Sequence, residues 1–296
     1  MKKVLPLILL FITVNSFSQV VRKYSNEFLN IGVDAASLAM ANAVTASSAD
    51  VNSGYWNPAG LVALEDNELA LMHASYFANI ALYDYAAFAT PLDDRSALGI
   101  SLIRFGVDDI LNTTQLIDAN GNIDYNRISL FSTADYALTL SYSRELPVQG
   151  LKVGANAKVI RRIIGDFASS WGFGLDVGLQ FTKGNWNFGL MARDITTSVN
   201  TWSINEEEFA KISNAVADQN QDLPETLEIT IPKLQLGINR NWEINYDYTI
   251  KAEVDLLLRF TQTNDIFSGA SVSASPAAGF EFGYTGLVFL RAGVGN

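Results

Sequence analysis

The chain has 296 residues, no cysteine, a single histidine and a formal net charge of −11. Without cysteine there is no disulfide framework, thiolate metal site, cysteine nucleophile or bacterial lipoprotein anchor. The acidic balance argues against a nucleic-acid partner, and the composition gives no ground for a catalytic residue, a metal or a cofactor.

The chain opens as a targeting segment. Lys2 and Lys3 precede an apolar run from Val4 to Val14, and Ser16-Phe17-Ser18 supplies small residues at the usual cleavage positions. Residues 1–18 therefore read as a signal peptide, with Gln19 as the mature start. The apolar run is too short to span a bilayer, which takes about 20 residues.

Residues 19–66 carry no long strand pattern. The Ala- and Ser-rich stretch from Asp34 to Ala49 predicts a short helix followed by a loop. Asn52 to Leu61 is turn-rich. Within it Pro58 fixes φ and removes a donor, while Asn57 can bond its own backbone, so Asn57-Pro58-Ala59-Gly60 reads as a rigid turn.

From residue 67 onward the pattern changes to period two. Trp171, Phe173, Leu175, Val177, Leu179 and Phe181 alternate with Gly172, Gly174, Asp176, Gly178 and Gln180. Such a strand has one face in an apolar medium and one near water. Eleven strands are predicted, near 68–77, 83–92, 96–107, 134–146, 151–164, 169–182, 186–196, 231–244, 248–260, 276–284 and 287–294. Tight turns alternate with longer loops, three of which (108–133, 197–230 and 261–275) are long. That rhythm fits an up-and-down antiparallel barrel in an outer membrane, with short periplasmic turns and long external loops. A soluble, sugar-binding β-sandwich would need polar residues where Phe173, Leu175 and Val177 stand.

The polar residues segregate to the other face. Lys158 and Asp176 fall on the lumen side, roughly opposite each other if the hairpin turns near Phe167, and they read as a pair tying the wall. Glu253 and Asp255 also face the lumen. Tyr142, Phe181, Trp186, Trp242 and Tyr284 lie beside the short turns, as a periplasmic aromatic girdle would.

Three other features carry little chemistry. Ser203 with Glu206 resembles a capping box, followed by Phe209, Ile212 and Val216 on one helical face; it reads as a loop helix at the rim. Asp118 to Asp124 lacks the Glu of a calcium loop, and Asn120-Gly121 reads as a tight turn. His73 has no neighbouring nucleophile and reads as a packed or wetted barrel residue.

The segment Tyr55-Trp56-Asn57-Pro58-Ala59-Gly60-Leu61, placed just before the first strand, resembles FadL-type outer-membrane barrels. Upstream, Gly32-Val33-Asp34-Ala35-Ala36-Ser37-Leu38-Ala39-Met40-Ala41-Asn42-Ala43-Val44 is similar to the PorV/PorQ branch. It departs from that branch at Asp34, Ala36 and Ala41, where Gly, Arg and Gly are frequent. The resemblance implies an all-β, 14-stranded transmembrane barrel with an N-terminal hatch (residues 19–66) inside the lumen and the barrel at 67–296. The eleven strands read here then suggest a piece lacking about three. The resemblance also implies that Asn57, Pro58 and Ala59 belong to the hatch. The implied role is an accessory one in type IX protein secretion and surface attachment in a Gram-negative outer membrane. Its partners would be secretion components or cargo, with lipid and lipopolysaccharide around the wall. The alternative is a channel for hydrophobic small molecules.

Overall fold

In the computed structural model, residues 25–117, 121–215 and 226–295 are described. The signal-peptide reading, Asn120 and Val216 lie outside them. The N-terminal segment holds helices α1 (Ala35–Ala39) and α2 (Ser53–Trp56), with 3₁₀ turns at Glu27–Asn30 and Pro58–Ala63. The strands are β1 (Glu68–Tyr76), β2 (Ala81–Asp93), β3 (Ser96–Asn112), β4 (Ser129–Glu145), β5 (Leu151–Ile164), β6 (Ala168–Lys183) and β7 (Trp186–Arg193). They continue as β8 (Ser198–Ile204), β9 (Leu227–Thr230), β10 (Lys233–Glu243), β11 (Tyr248–Arg259), β12 (Phe267–Ser268), β13 (Ser273–Tyr284) and β14 (Val288–Val294). Helix α3 (Glu206–Ala215) lies between β8 and β9.

All strand pairs are antiparallel, and β1 to β7, β10, β11, β13 and β14 succeed one another round the wall. These are the eleven strands expected from alternation. Among the described residues, β1 and β14 do not pair with each other. Three short strands escaped the sequence reading. The β8–β9 hairpin pairs along the outer half of β6, and β12 pairs with the start of β13. In β8 the outward positions include Thr201 and Ser203, so no apolar face marks it as a strand. Strands β3 and β4 also run farther outward than predicted, to Asn112 and from Ser129, shortening the loop between them. Beyond the apolar band both faces of a strand are wet, and period two disappears from the sequence.

Between Val177↔Ala192 and Phe173↔Val199, β6 advances four residues while its partner advances seven. The excess forms a bulge at 194–197, where Asp194 (φ 55°) and Thr197 (φ 60°) take left-handed backbone. Strand β7 therefore ends at Arg193, short of the predicted 196.

Alternation sorts the two faces as expected. Trp171, Phe173 and Leu175 point outward and are exposed, whereas Ser170, Asp176 and Gln180 point inward and are buried. The outer face is not uniformly apolar. One cross-strand row runs His73↔Asp84↔Arg104↔Tyr136↔Arg161↔Trp171 across β1 to β6. In it His73 Nδ1 lies 2.6 Å from Asp84, Arg104 lies 3.6 Å from Asp84, and the Arg161 guanidinium sits over Trp171 at 4.9 Å. His73 is thus an outward-facing residue, bonded to Asp84 on the outer face rather than packed in the lumen.

Leu175 faces outward in the middle of β6. The Leu175→Arg variant is expected to lose ~2–4 kcal/mol of barrel stability, the cost of a cation near the bilayer midplane. Equilibrium folding into lipid vesicles measures it.

Candidate functional site

The lumen is occupied by the N-terminal segment, which supplies the site. At its start Asp34 caps α1, accepting from the Ala36 and Ser37 amides at 3.3 and 3.0 Å. The helix then stops at Met40, and Ala41 and Asn42 take positive φ (53° and 65°). A second short helix, α2, leads into the Asn57-Pro58 turn. Pro58 opens a 3₁₀ turn whose cap, Asn57, accepts from the Ala59 amide at 3.2 Å. This is the rigid turn read from the sequence, with Asn57, Pro58, Ala59 and Gly60 all buried.

Asn57 also reaches outward from the turn. Its Nδ2 donates to the Thr45 carbonyl at 2.8 Å and to the Leu179 carbonyl of β6 at 3.1 Å. One amide thereby ties two hatch loops to each other and to the wall. Close approach of the hatch requires glycine on the lumen face, at Gly154 and Gly178 among other positions. A Cβ on Gly154 of β5 would overlap the backbone of Pro58 and Ala59, and one on Gly178 of β6 would overlap the Asn57 side chain. The glycines of β6 read as lumen-packing positions take that role.

The remaining hatch backbone finds partners across the wall. Gln180 Nε2 donates to Ser48 O at 2.9 Å, Asn156 Nδ2 to Gly54 O at 2.9 Å, and Arg193 Nη2 to Tyr55 O at 2.9 Å. On β11, Asp255 Oδ2 accepts from the Thr45 amide (3.1 Å) and hydroxyl (2.6 Å), and Glu253 accepts from the Ala46 amide at 2.6 Å. Tyr55 OH donates to Leu29 O at 2.7 Å and accepts from Gly32 N at 3.0 Å. Burial pushes its phenol above the usual tyrosine range, so it stays a neutral donor.

The lumen has two chemically different halves. On β1 to β3, Tyr83, Tyr85, Ala87, Ala89 and Ile103 form an apolar face, and Phe28 and Val33 of the hatch pack on it. On β4 to β13 the face is polar. Lys158 Nζ bridges Asp176 at 2.8 Å and Asp194 at 2.7 Å, all three side chains being nearly fully buried. In register Lys158 faces Gly174, so it meets Asp176 diagonally. Sequence reasoning missed Asp194. It lies on the bulge, where its amide donates to Asp176 at 2.8 Å; alternation does not reveal a bulge.

Tyr142, Trp186, Trp242 and Tyr284 are partly exposed on the outer face at the short-turn end, and Phe181 stacks on Phe188 at 6.4 Å. Arg240 lies over Trp186 and Trp242 at 4.7 and 5.0 Å. The helix in the 197–230 loop is capped by Asn205, which accepts from the Glu207 and Glu208 amides at 3.2 and 3.4 Å. Ser203 lies in β8 instead, because the strand claims the residue that the capping box would have used.

Residues 16–210 match the family described as type IX secretion system protein PorV. The chain belongs to the PorV family. It is an outer-membrane β-barrel. Among solved structures, the CymD monoaromatic hydrocarbon channel is 12% identical, with 90% of this chain and 83% of that one covered and a TM-score of 0.52. The toluene transporter TodX of Pseudomonas putida is 13% identical (93% and 84% covered, TM-score 0.49), and a Pseudomonas aeruginosa FadL homologue 11% (89% and 79%, 0.47). At such identity the likeness concerns the fold. No curated protein sequence matches the chain.

Two variants test the PorV-family hatch and wall. Lys158→Met leaves Asp176 and Asp194 buried without a cation and is expected to cost ~3–5 kcal/mol; adding Asp176→Asn and Asp194→Asn recovers much of it, read by thermal unfolding in detergent. Asn57→Ala orphans buried carbonyls and is expected to cost roughly 1–3 kcal/mol, with faster protease cleavage of the hatch.

Proposed function

We propose that this barrel serves type IX protein secretion and surface attachment, working through protein contacts at its outer rim. The single observation that carries the reading is the character of the lumen. A channel for hydrophobic solutes needs a continuous apolar path behind its hatch. Here the apolar half of the lumen is filled by Phe28, Val33 and their neighbours, and the space left beside β11 is polar and charged. The apolar surface lies instead on the outer loops, where Phe77, Ile117, Tyr125 and Phe267 are each more than half exposed. Exposed apolar groups beyond the membrane band suit docking of another protein. The family description supports the same direction.

The hatch, with Asn57, Pro58 and Ala59 at its centre, acts in this reading as a fixed plug that seals the barrel. Tyr142, Phe181, Trp186, Trp242 and Tyr284 form the girdle at the periplasmic interface, holding the wall at a set depth among lipid and lipopolysaccharide.

Deleting the gene is expected to remove type IX cargo from the cell surface while leaving uptake of hydrophobic solutes unchanged. Surface labelling of cargo measures the first and solute uptake the second. Unchanged display rejects the secretion role; slowed solute uptake favours the channel.

A further inference from the structure

We propose that the β8–β9 hairpin is a latch on the outer end of the hatch, with Arg162 as its hub. Hairpin and hatch start open and close as one unit, while the Asn57 turn stays seated.

The hairpin is set off from the wall by a break in each of its strands. Strand β7 pairs with β10 as far as Arg193↔Lys233, and β8 resumes with β9 at Ser198↔Thr230. On one side the chain passes through the bulge with left-handed Asp194 and Thr197. On the other it passes through Ile231 and Pro232, which join β9 to β10 outside either strand, and a proline has no amide to give a ladder. Breaks at element ends are where hinge motion is absorbed. Strand β9 has four residues and, among the described residues, pairs with β8 alone. A short strand held on one edge belongs to the part of a fold that opens most readily.

This hairpin holds the first residues of the hatch. Its inward side chains Ser198, Asn200, Glu228 and Thr230 are buried, and all are polar. Thr230 Oγ1 accepts from Asn26 Nδ2 at 3.2 Å and lies 3.0 Å from the Ser25 hydroxyl. Asn200 Nδ2 donates to Ser25 Oγ and to Asn26 Oδ1, each at 2.8 Å. Arg162 of β5 joins the parts. Its Nε donates to Asp135 of β4 at 2.8 Å, and its Nη1 donates to the Ser25 carbonyl at 3.0 Å and to Glu228 at 3.2 Å. The Trp202 ring lies against it at 5.2 Å. Glu27 adds a pair with Lys233, at the foot of the hairpin, at 3.6 Å. The first tie to the rest of the hatch comes later, where Tyr55 OH donates to the Leu29 carbonyl. Between these anchors Phe28 fills the apolar face of β1 to β3. A contact that lifts the hairpin from outside therefore frees Phe28 without touching the lumen. The latch stands apart from the secretion role.

Hydrogen exchange of the full chain in detergent micelles, read by mass spectrometry, tests it. Thr230→Val and Asn200→Ala are each expected to speed exchange at residues 25–30 about tenfold or more, with residues 51–61 unchanged. Coupling is reciprocal, so Asn26→Ala is expected to speed exchange at residues 227–230. The barrel's heat-modifiable gel shift checks folding. The chain has no cysteine, so an Asn26→Cys, Thr230→Cys pair can close on oxidation only across the latch. Closure is expected to slow exchange at residues 25–30 below the native rate, and reduction to reverse it. Native exchange at residues 25–30 in folded Thr230→Val and Asn200→Ala proteins overturns the proposal. So does a rise that spreads equally to residues 51–61, or native exchange at residues 227–230 in folded Asn26→Ala. If those variants fail to fold, the cysteine pair decides: unchanged exchange after closure overturns it.

Discussion

Everything in the lumen depends on one demand: an irregular peptide segment, shut inside a β-wall, must find hydrogen-bond partners for its backbone. The hatch has only short helices, and its turns leave carbonyls and amides unpaired by their own chain. The wall answers with side chains. Asn156, Gln180 and Arg193 donate to hatch carbonyls, while Glu253 and Asp255 accept from hatch amides. The polar face of β5 to β11 is therefore a mould of the hatch backbone. Its charges are there for contact with peptide groups, and they are arranged by which group needs a donor and which an acceptor.

That demand also explains the small residues. Side chains can bond to a backbone only if the backbone comes close, and the hatch lies close against the wall at Gly154 and Gly178 among other glycines. Glycine at those positions lets the Asn57 turn lie against β5 and β6. The same logic places the Lys158 bridge one row outward, where the wall must bend. A bulge exposes backbone groups that a regular ladder would pair, and Asp176 takes the Asp194 amide while Lys158 balances both charges. Bend, bridge and hatch contact are parts of one polar surface.

Much of this was legible in the sequence because two of its signals are periodic. Alternation located eleven strands and sorted their faces, and Lys158, Asp176, Glu253 and Asp255 are all buried on the inner face. The turn at Asn57-Pro58 was legible because proline restricts its own backbone and an asparagine can cap the turn it precedes. The rest depends on partners distant in the chain. Asp194 sits where the period breaks, and β8 has small polar groups on its outward face. Asn57's bond to Leu179 spans 122 residues, and no local pattern encodes a bond of that reach. Ser203 shows the opposite error, a local motif overruled because a strand pairing with β6 claimed the residue first.

The outward row from His73 through Asp84, Arg104, Tyr136 and Arg161 to Trp171 has a consequence for the barrel as an object in a membrane. A wall with an unbroken greasy belt looks the same to lipid from every bearing. This one carries hydrogen-bonding and charged groups on β1 to β5, while the outward faces of β11 and β13 show Val254, Phe280 and Phe282. The row runs perpendicular to the strands, and strands in such barrels are tilted. It therefore crosses the bilayer on a slant and visits several depths. The molecule has a compass heading in the plane of the membrane, and its neighbours meet a different chemistry on each side.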